Sequence, residues 1–281
     1  MTVFIVLPVL TLLMFDLGLA LRWADFQLLA RHPRALCAGL LGQLVVLPLV
    51  AYAVGRVLGL DAVFFAGVML IACCPGGSSS NVFSMLAGGD VALSVSLTAA
   101  SSLLTLLTMP VVLSVALAQA GIAQAVSLPV GSLIGQNLVL MFVPIALGML
   151  WQHYGPRSAA RLHGVLRRLA FPLLILLATV FFLQHTAEIT AHFATLGLAA
   201  TLLVLLGMCG GALLARLFRL DVRQRKTLVI EVGMQNAAEA IALALSPLVF
   251  NSPALAVPAI LYALMMNVVL LAYVAFVKRN A

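Results

Sequence analysis

Nine apolar runs fill the chain almost from end to end, at about 2–21, 35–55, 62–87, 91–118, 126–152, 168–184, 193–215, 227–247 and 254–277. A helix needs about 20 consecutive apolar residues to cross the hydrocarbon core of a bilayer. Of the 281 residues, 64% are apolar and only 8% carry a formal charge. Soluble domains average about 45–50% apolar and about 25% charged. So few charges cannot cover a water-facing surface, which excludes a soluble enzyme, a nucleic-acid binder and an extracellular scaffold. The expected class is an all-α polytopic membrane protein of about nine transmembrane helices, held by the lipid bilayer.

The net charge of +7 is distributed in a way that fixes orientation. Assigning the connecting loops alternately to the two sides gives one side Arg22, Arg31, Arg34, Arg157, Arg161, Arg167, Arg168, Arg216, Arg219, Arg223, Arg225, Lys226, Lys278 and Arg279. The other side receives Arg56 alone. Basic residues accumulate in cytoplasmic loops, so the N-terminus is expected outside and the C-terminus in the cytoplasm of a bacterial-type inner membrane. The first run has no basic stretch before it, carries Asp16 and leads into Arg22. It reads as the first span, not a cleaved signal. The histidines (His32, His153, His163, His185 and His192) fall at span edges or in loops with no metal-ligand spacing, and read as solvated interface residues. Cys37 and Cys209, in apolar runs, and the adjacent Cys73 and Cys74 read as packing residues.

Two stretches repeat three features in order. Arg56-Val57-Leu58-Gly59-Leu60-Asp61 matches Arg216-Leu217-Phe218-Arg219-Leu220-Asp221. An apolar run and a polar break follow each: Cys74-Pro75-Gly76-Gly77-Ser78-Ser79-Ser80-Asn81 in one copy, Glu231-Val232-Gly233-Met234-Gln235-Asn236 in the other. The next spans begin Asp90-Val91-Ala92-Leu93 and Pro253-Ala254-Leu255-Ala256. The copies are five spans apart, so they cross the membrane in opposite senses, as inverted repeats of secondary transporters do. The expected organisation is one transporter domain over 1–281: a first repeat at about 2–118, a linking span at about 126–152, and an inverted second repeat at about 168–277.

The breaks carry the chemistry. Pro75 has no backbone donor and disfavours helix at Cys74, and Gly76-Gly77 weakens any helix that resumes. Ser78, Ser79, Ser80 and Asn81 then supply oxygens and an N-cap for a new half-helix. The other break sets a carboxylate and two amides, Glu231, Gln235 and Asn236, inside an apolar run. An intramembrane carboxylate costs several kcal/mol unless paired, and no Lys or Arg lies at matching depth in any run. Its natural partner is a cation or a proton. Ser94 and Thr98, one turn apart, share a face of their span; with Ser80, Asn81 and Glu231 they form an all-oxygen set suited to Na+. Gln43, just before Pro48, is placed to join Glu231 and Gln235 in a second set.

At these positions the sequence resembles the bile acid:sodium symporter family. The residues that carry the resemblance are Cys73-Cys74-Pro75-Gly76-Gly77 with Ser80-Asn81, Gly89-Asp90-Val91-Ala92-Leu93-Ser94 with Thr98, Glu231 with Gly233-Met234-Gln235-Asn236, Gln43 with Pro48, and Leu17-Gly18-Leu19. The resemblance implies a panel domain, a core domain and two broken helices crossing in the core, here in a nine-helix form. It implies one Na+ site at Ser80, Asn81, Ser94, Thr98 and Glu231. It implies a second at Gln43, Glu231, Gln235 and the carbonyls of Val232 and Met234. Substrate is expected at the half-helix starts, Ser78, Ser79 and Asn236, where positive dipole ends hold an anion. The function this implies is a sodium-coupled symporter of a small organic solute, an organic anion, with Na+ as coupling ion and no obligate protein partner.

Asp16 and Glu239 depart from that family's pattern. Asp16 is either a carboxylate near the cytoplasmic end, reached by water or Arg22, or a cavity group. Glu239 is either a protonated or hydrogen-bonded packing residue, or a group lining the substrate path. In cavity roles they would favour a substrate with a cationic portion or add a proton, so the alternative is a proton-coupled carrier, uniporter or exporter using both. An intramembrane aspartyl protease is disfavoured: Gly88-Gly89-Asp90 only partly matches a G-x-G-D motif, with Ala87 at its first position. The expectation is a transporter and not an enzyme.

Overall fold

In the computed structural model, residues 3–21, 33–126, 128–184 and 186–279 are described. Arg22, Arg31, His32 and His185 lie outside them. The described residues are helical, with no strand beyond one isolated bridge. In chain order the helices are α1 (Val3–Ala20), α2 (Pro33–Leu41), α3 (Leu47–Val57), α4 (Ala62–Cys73), α5 (Ser80–Leu86), α6 (Val91–Gln119), α7 (Val130–Asn137), α8 (Val143–Tyr154), α9 (Pro156–Gln184), α10 (Thr186–Leu217), α11 (Val222–Gly233), α12 (Ala237–Leu245) and α13 (Pro253–Arg279). Among the described residues, five segments are long and apolar enough to cross a membrane: Pro33–Val57, Val91–Gln119, Val130–Tyr154, Ile189–Leu217 and Pro253–Arg279. Leu7–Ala20 and Ala62–Cys73 are shorter apolar helices.

The apolar runs at 62–87 and 227–247 are each two helices end to end. The first breaks between Cys73 and Ser80, the second between Gly233 and Ala237. Two other runs contain one π-helical turn each: Gly42–Val46 joins α2 to α3, and Leu138–Phe142 joins α7 to α8. The cause is the same in both. Pro48 and Pro144 follow closely and have no N–H to give the carbonyl four residues back, so the chain takes one wider turn, with Leu47 N–H bonding Gly42 O and Val143 N–H bonding Leu138 O. The arginine-bearing stretch before residue 168, expected as a loop, is already helical within α9.

The matched Arg-to-Asp stretches have the same backbone. Gly59 and Arg219 sit in the left-handed region at φ 60° and 55°. Leu60 N bonds Gly55 O as Leu220 N bonds Ala215 O. Asp61 then caps α4 through Val63 N and Phe64 N, and Asp221 caps α11 through Arg223 N and Gln224 N. Each cap starts a helix that runs into a break. Helix α11 packs on α6 and α10, α4 on α3, α6 and α13, and α12 on α13, α1 and α4. Cys37 and Cys209, expected in packing roles, are exposed, while Cys73 and Cys74 are buried. An outer surface facing lipid is as apolar as the interior, so an apolar run does not tell the two apart.

Candidate functional site

The two breaks meet and hydrogen-bond to each other. Gly76 and Gln235 form an antiparallel bridge. Gly77 N donates to Met234 O (3.2 Å), and Asn236 N donates to Pro75 O (2.8 Å). With its amide nitrogen turned toward the first break, Gln235 also donates to Cys74 O (2.7 Å) and Pro75 O (2.8 Å). Unwound backbone buried at this depth needs such partners, and here each break supplies them for the other. Two side chains from neighbouring helices complete the set: Ser101 of α6 accepts from Gly76 N (3.2 Å), and Tyr262 of α13 donates to Gly233 O (2.9 Å).

Glu231 lies against this junction, with no solvent exposure. Ser80 at the start of α5 donates to its Oε1 (2.5 Å), and Ser94 of α6 donates to the same oxygen. Thr98 donates to Oε2 (3.4 Å). The π turn brings Gln43 inward, where its Nε2 donates to Glu231 O (3.0 Å) and Oε2 (3.3 Å). Three segments distant in sequence thus place four neutral donors around one carboxylate. Among the described residues no Lys or Arg forms an ion pair with it. Gly76 is part of the same wall: a Cβ there would lie 2.7 Å from Gln43 Nε2 and 3.1 Å from Glu231 Oε2. Only glycine lets the backbone come this close.

Of the expected site residues, Ser80, Ser94, Thr98, Gln43 and Glu231 are directly bonded. Asn81 is partly buried beside Ser80, and its Oδ1 has no hydrogen-bond partner; the same is true of Gln43 Oε1. Buried acceptor oxygens without donors, on Gln43, which bonds the carboxylate, and on Asn81, the chain neighbour of Ser80, are the kind of ligand a hard cation takes. Val232 is buried with its side chain against Gly42. The Met234 carbonyl and the Gln235 amide are engaged by the first break. Ser78 and Ser79 are partly buried at the foot of α5, where Ser79 occupies the cap position without a side-chain bond. Asn236 caps α12 through Glu239 N (3.2 Å).

Residues 7–216 match the Sodium Bile acid symporter family. The chain belongs to that family. Among its relatives, a probable chloroplastic sodium/metabolite cotransporter of Arabidopsis thaliana is 32% identical over 89% of this chain and 60% of its own length. An uncharacterized sodium-dependent transporter of Bacillus subtilis (strain 168) is 33% identical over 92% of this chain and 78% of its own. The human ileal sodium/bile acid cotransporter is 32% identical over 81% of this chain and 65% of its own. The chain therefore spans about three fifths of the Arabidopsis relative and nearly two thirds of the human one.

In this symporter-family chain the two departing carboxylates have different surroundings. Asp16 Oδ1 lies 2.9 Å from His163 Nδ1, joining α1 to α9. His163, expected as a solvated edge residue, is thus a half-buried partner. Glu239 is 1% exposed, and neither carboxylate oxygen has a hydrogen-bond partner among the described residues. Asp90 is the N-cap of α6, its Oδ1 accepting from Leu93 N, and its backbone is held by Thr227 of α11. It is a structural cap. Ser101, Tyr262 and Thr227 were not anticipated. Ser101, seven residues after Ser94, shares its helix face and was legible by spacing; the other two carry no local signal.

Proposed function

We propose that this chain is a sodium-coupled symporter of a small organic solute, an organic anion, working by alternating access. The observation that carries the reading is the enclosure of Glu231 by Ser80, Ser94, Thr98 and Gln43 with no basic partner. A sodium ion neutralises that carboxylate and takes up the free oxygens of Asn81 and Gln43, tying the breaks together. Ser80, Asn81, Ser94, Thr98 and Glu231 form one site in this reading. Gln43, Gln235, Glu231 and the carbonyls of Val232 and Met234 form the second. The anion sits at Ser78, Ser79 and Asn236, at the starts of α5 and α12, where the helix dipoles are positive. The names of the relatives, sodium/metabolite and sodium/bile acid cotransporters, support both the ion and the solute class.

The shared turn geometry at Gly59 and Arg219, and the antiparallel meeting of the breaks, support an inverted repeat of 2–118 and 168–277 around a linking span at 126–152. Nine spans with the N-terminus outside follow from the loop charges, and rocking of a panel against a core opens the crossing alternately.

The test is thermal unfolding of the detergent-purified protein against NaCl, with choline chloride or KCl holding ionic strength constant. A ligand that binds only the folded state at tenfold excess over Kd stabilises it by about 1.4 kcal/mol. A saturable rise specific to Na+ is expected. Equal responses to all three salts would refute the ion assignment.

A further inference from the structure

Asn236 and Glu239 have the N-x-x-E spacing of a capping box at the start of α12. In that motif the cap side chain takes the N–H three residues on, and the acidic side chain takes the cap's own N–H in return. Half of the box is made: Asn236 Oδ1 accepts from Glu239 N. The other half is not. Asn236 N is committed to Pro75 O in the opposite break, and both Glu239 oxygens are left without a partner. The crossing and the box compete for one N–H.

The carboxylate is closed in as well as unpaired. Both of its oxygens are buried. Helix α12 packs on α13, α1 and α4. The titratable groups on those elements are Tyr262, whose hydroxyl is given to Gly233 O, and Tyr273, Lys278 and Arg279 further along α13; Asp16 of α1, held by His163; and Cys73 and Cys74 at the end of α4. Cys74 is within electrostatic reach and supplies no positive charge. Glu231, across the break, is occupied by its own donors. A sodium ion would need several further oxygens here, and no described side chain bonds to Glu239 to offer one. A buried ionised carboxylate without a cation or a donor is far costlier than a neutral one.

We propose that Glu239 is a proton-binding site, loaded while the two breaks are bonded to each other and emptied when they part. On separation Asn236 N–H leaves Pro75 O, the Glu239 Oε–H bond breaks with the proton passing to entering water, and the carboxylate closes the capping box by accepting Asn236 N–H. The first turn of α12 then favours the negative charge. The proton is thus a second exchangeable ion in the cycle. This extends the sodium reading without using the Glu231 site.

The experiment is infrared difference spectroscopy of the purified full chain at neutral pH, native protein minus Glu239→Gln, in H2O and after transfer to D2O. The expected result is a protonated carboxylic acid band, lost in the variant and shifted by deuterium. An ionised carboxylate band would overturn the proposal. A protonated band that deuterium never shifts would also overturn it, since the proton would then be locked in place. Glu239→Leu serves for the same subtraction should the glutamine variant fail to fold. The Na+ titration of the native protein stands or falls separately, so the failure of either reading is recognisable.

Discussion

Glu231 and Glu239 are two turns apart in sequence, on either side of one helix break, and both are fully enclosed. Their surroundings are opposite. Glu231 receives hydroxyl and amide donors from α5, α6 and the π turn ahead of α3, while Glu239 receives none. Burial alone therefore does not say what a membrane carboxylate does; the number and origin of its donors do. A carboxylate ringed by oxygens from distant segments is prepared to share a cation with them. One surrounded only by packing atoms is prepared to exist neutral.

The sharpest way to break this contrast is Glu231→Ala. The substitution removes the only formal charge in the oxygen set and the carboxylate to which Ser80, Ser94 and Thr98 donate, while Gln43 keeps its bond to the residue 231 carbonyl. Sodium-specific thermal stabilisation, about 1.4 kcal/mol at tenfold excess over Kd, is expected to vanish, and Na+-dependent uptake with it. An unchanged Na+ shift in the variant would move the cation away from Glu231.

Gly76→Ala probes the same site without touching a polar side chain. The new methyl would stand 2.7 Å from Gln43 Nε2 and 3.1 Å from Glu231 Oε2. Overpacking of this kind costs about 1–3 kcal/mol. Because the displaced atoms belong to the proposed cation site, Na+ affinity is expected to fall by about tenfold, the equivalent of about 1.4 kcal/mol. A salt-series melt of the variant reads both effects together: a lower baseline, and a Na+ response displaced to higher concentration.

Tyr262→Phe should have a smaller effect and a different signature. It deprives Gly233 O of its donor at the end of α11, leaving a buried carbonyl unsatisfied at about 1 kcal/mol or somewhat more. The loss is to stability, measured as a lower melting point in every salt, with the spacing between the Na+ and choline curves retained. Convergence of the two curves would mean that Tyr262 orders the cation site as well as the break.

Much of this site was readable in one dimension because its chemistry is unusual for its setting. A carboxylate in an apolar run and Pro-Gly-Gly in a helix stand out against a lipid-embedded chain, and Ser94 and Thr98 one turn apart add hydroxyls to one face. What sequence could not supply was pairing between segments. That Gln235 turns to Cys74 and Pro75, that Tyr262 closes Gly233, and that His163 meets Asp16 depend on how helices pack, and no spacing along one chain encodes it. Cys37 and Cys209, read as packing residues, are exposed for a related reason, since lipid removes the contrast between inside and outside that makes burial legible in water. The capping-box spacing of Asn236 and Glu239 was visible in the letters. Its half-made state follows only from the Asn236–Pro75 bond.

The last comparison reverses the sign. Glu239→Leu replaces an unpartnered, buried carboxyl with an apolar side chain of similar size on a helix that packs against α13, α1 and α4. An unmade hydrogen bond at a buried group costs about 1–3 kcal/mol, so removing the group should raise the melting point by a few degrees at most, against the large losses expected at Glu231. Leucine also lacks the oxygen needed to complete the capping box, so the gain belongs to the state in which the breaks are joined. The variant is therefore expected to be more stable and to open the crossing less readily, seen as slower amide exchange in residues 74–80 and 233–238. A destabilised variant would show that Glu239 has a partner in the folded state. If the variant also lost its Na+ shift, the two carboxylates would belong to one site, and the contrast between them would collapse.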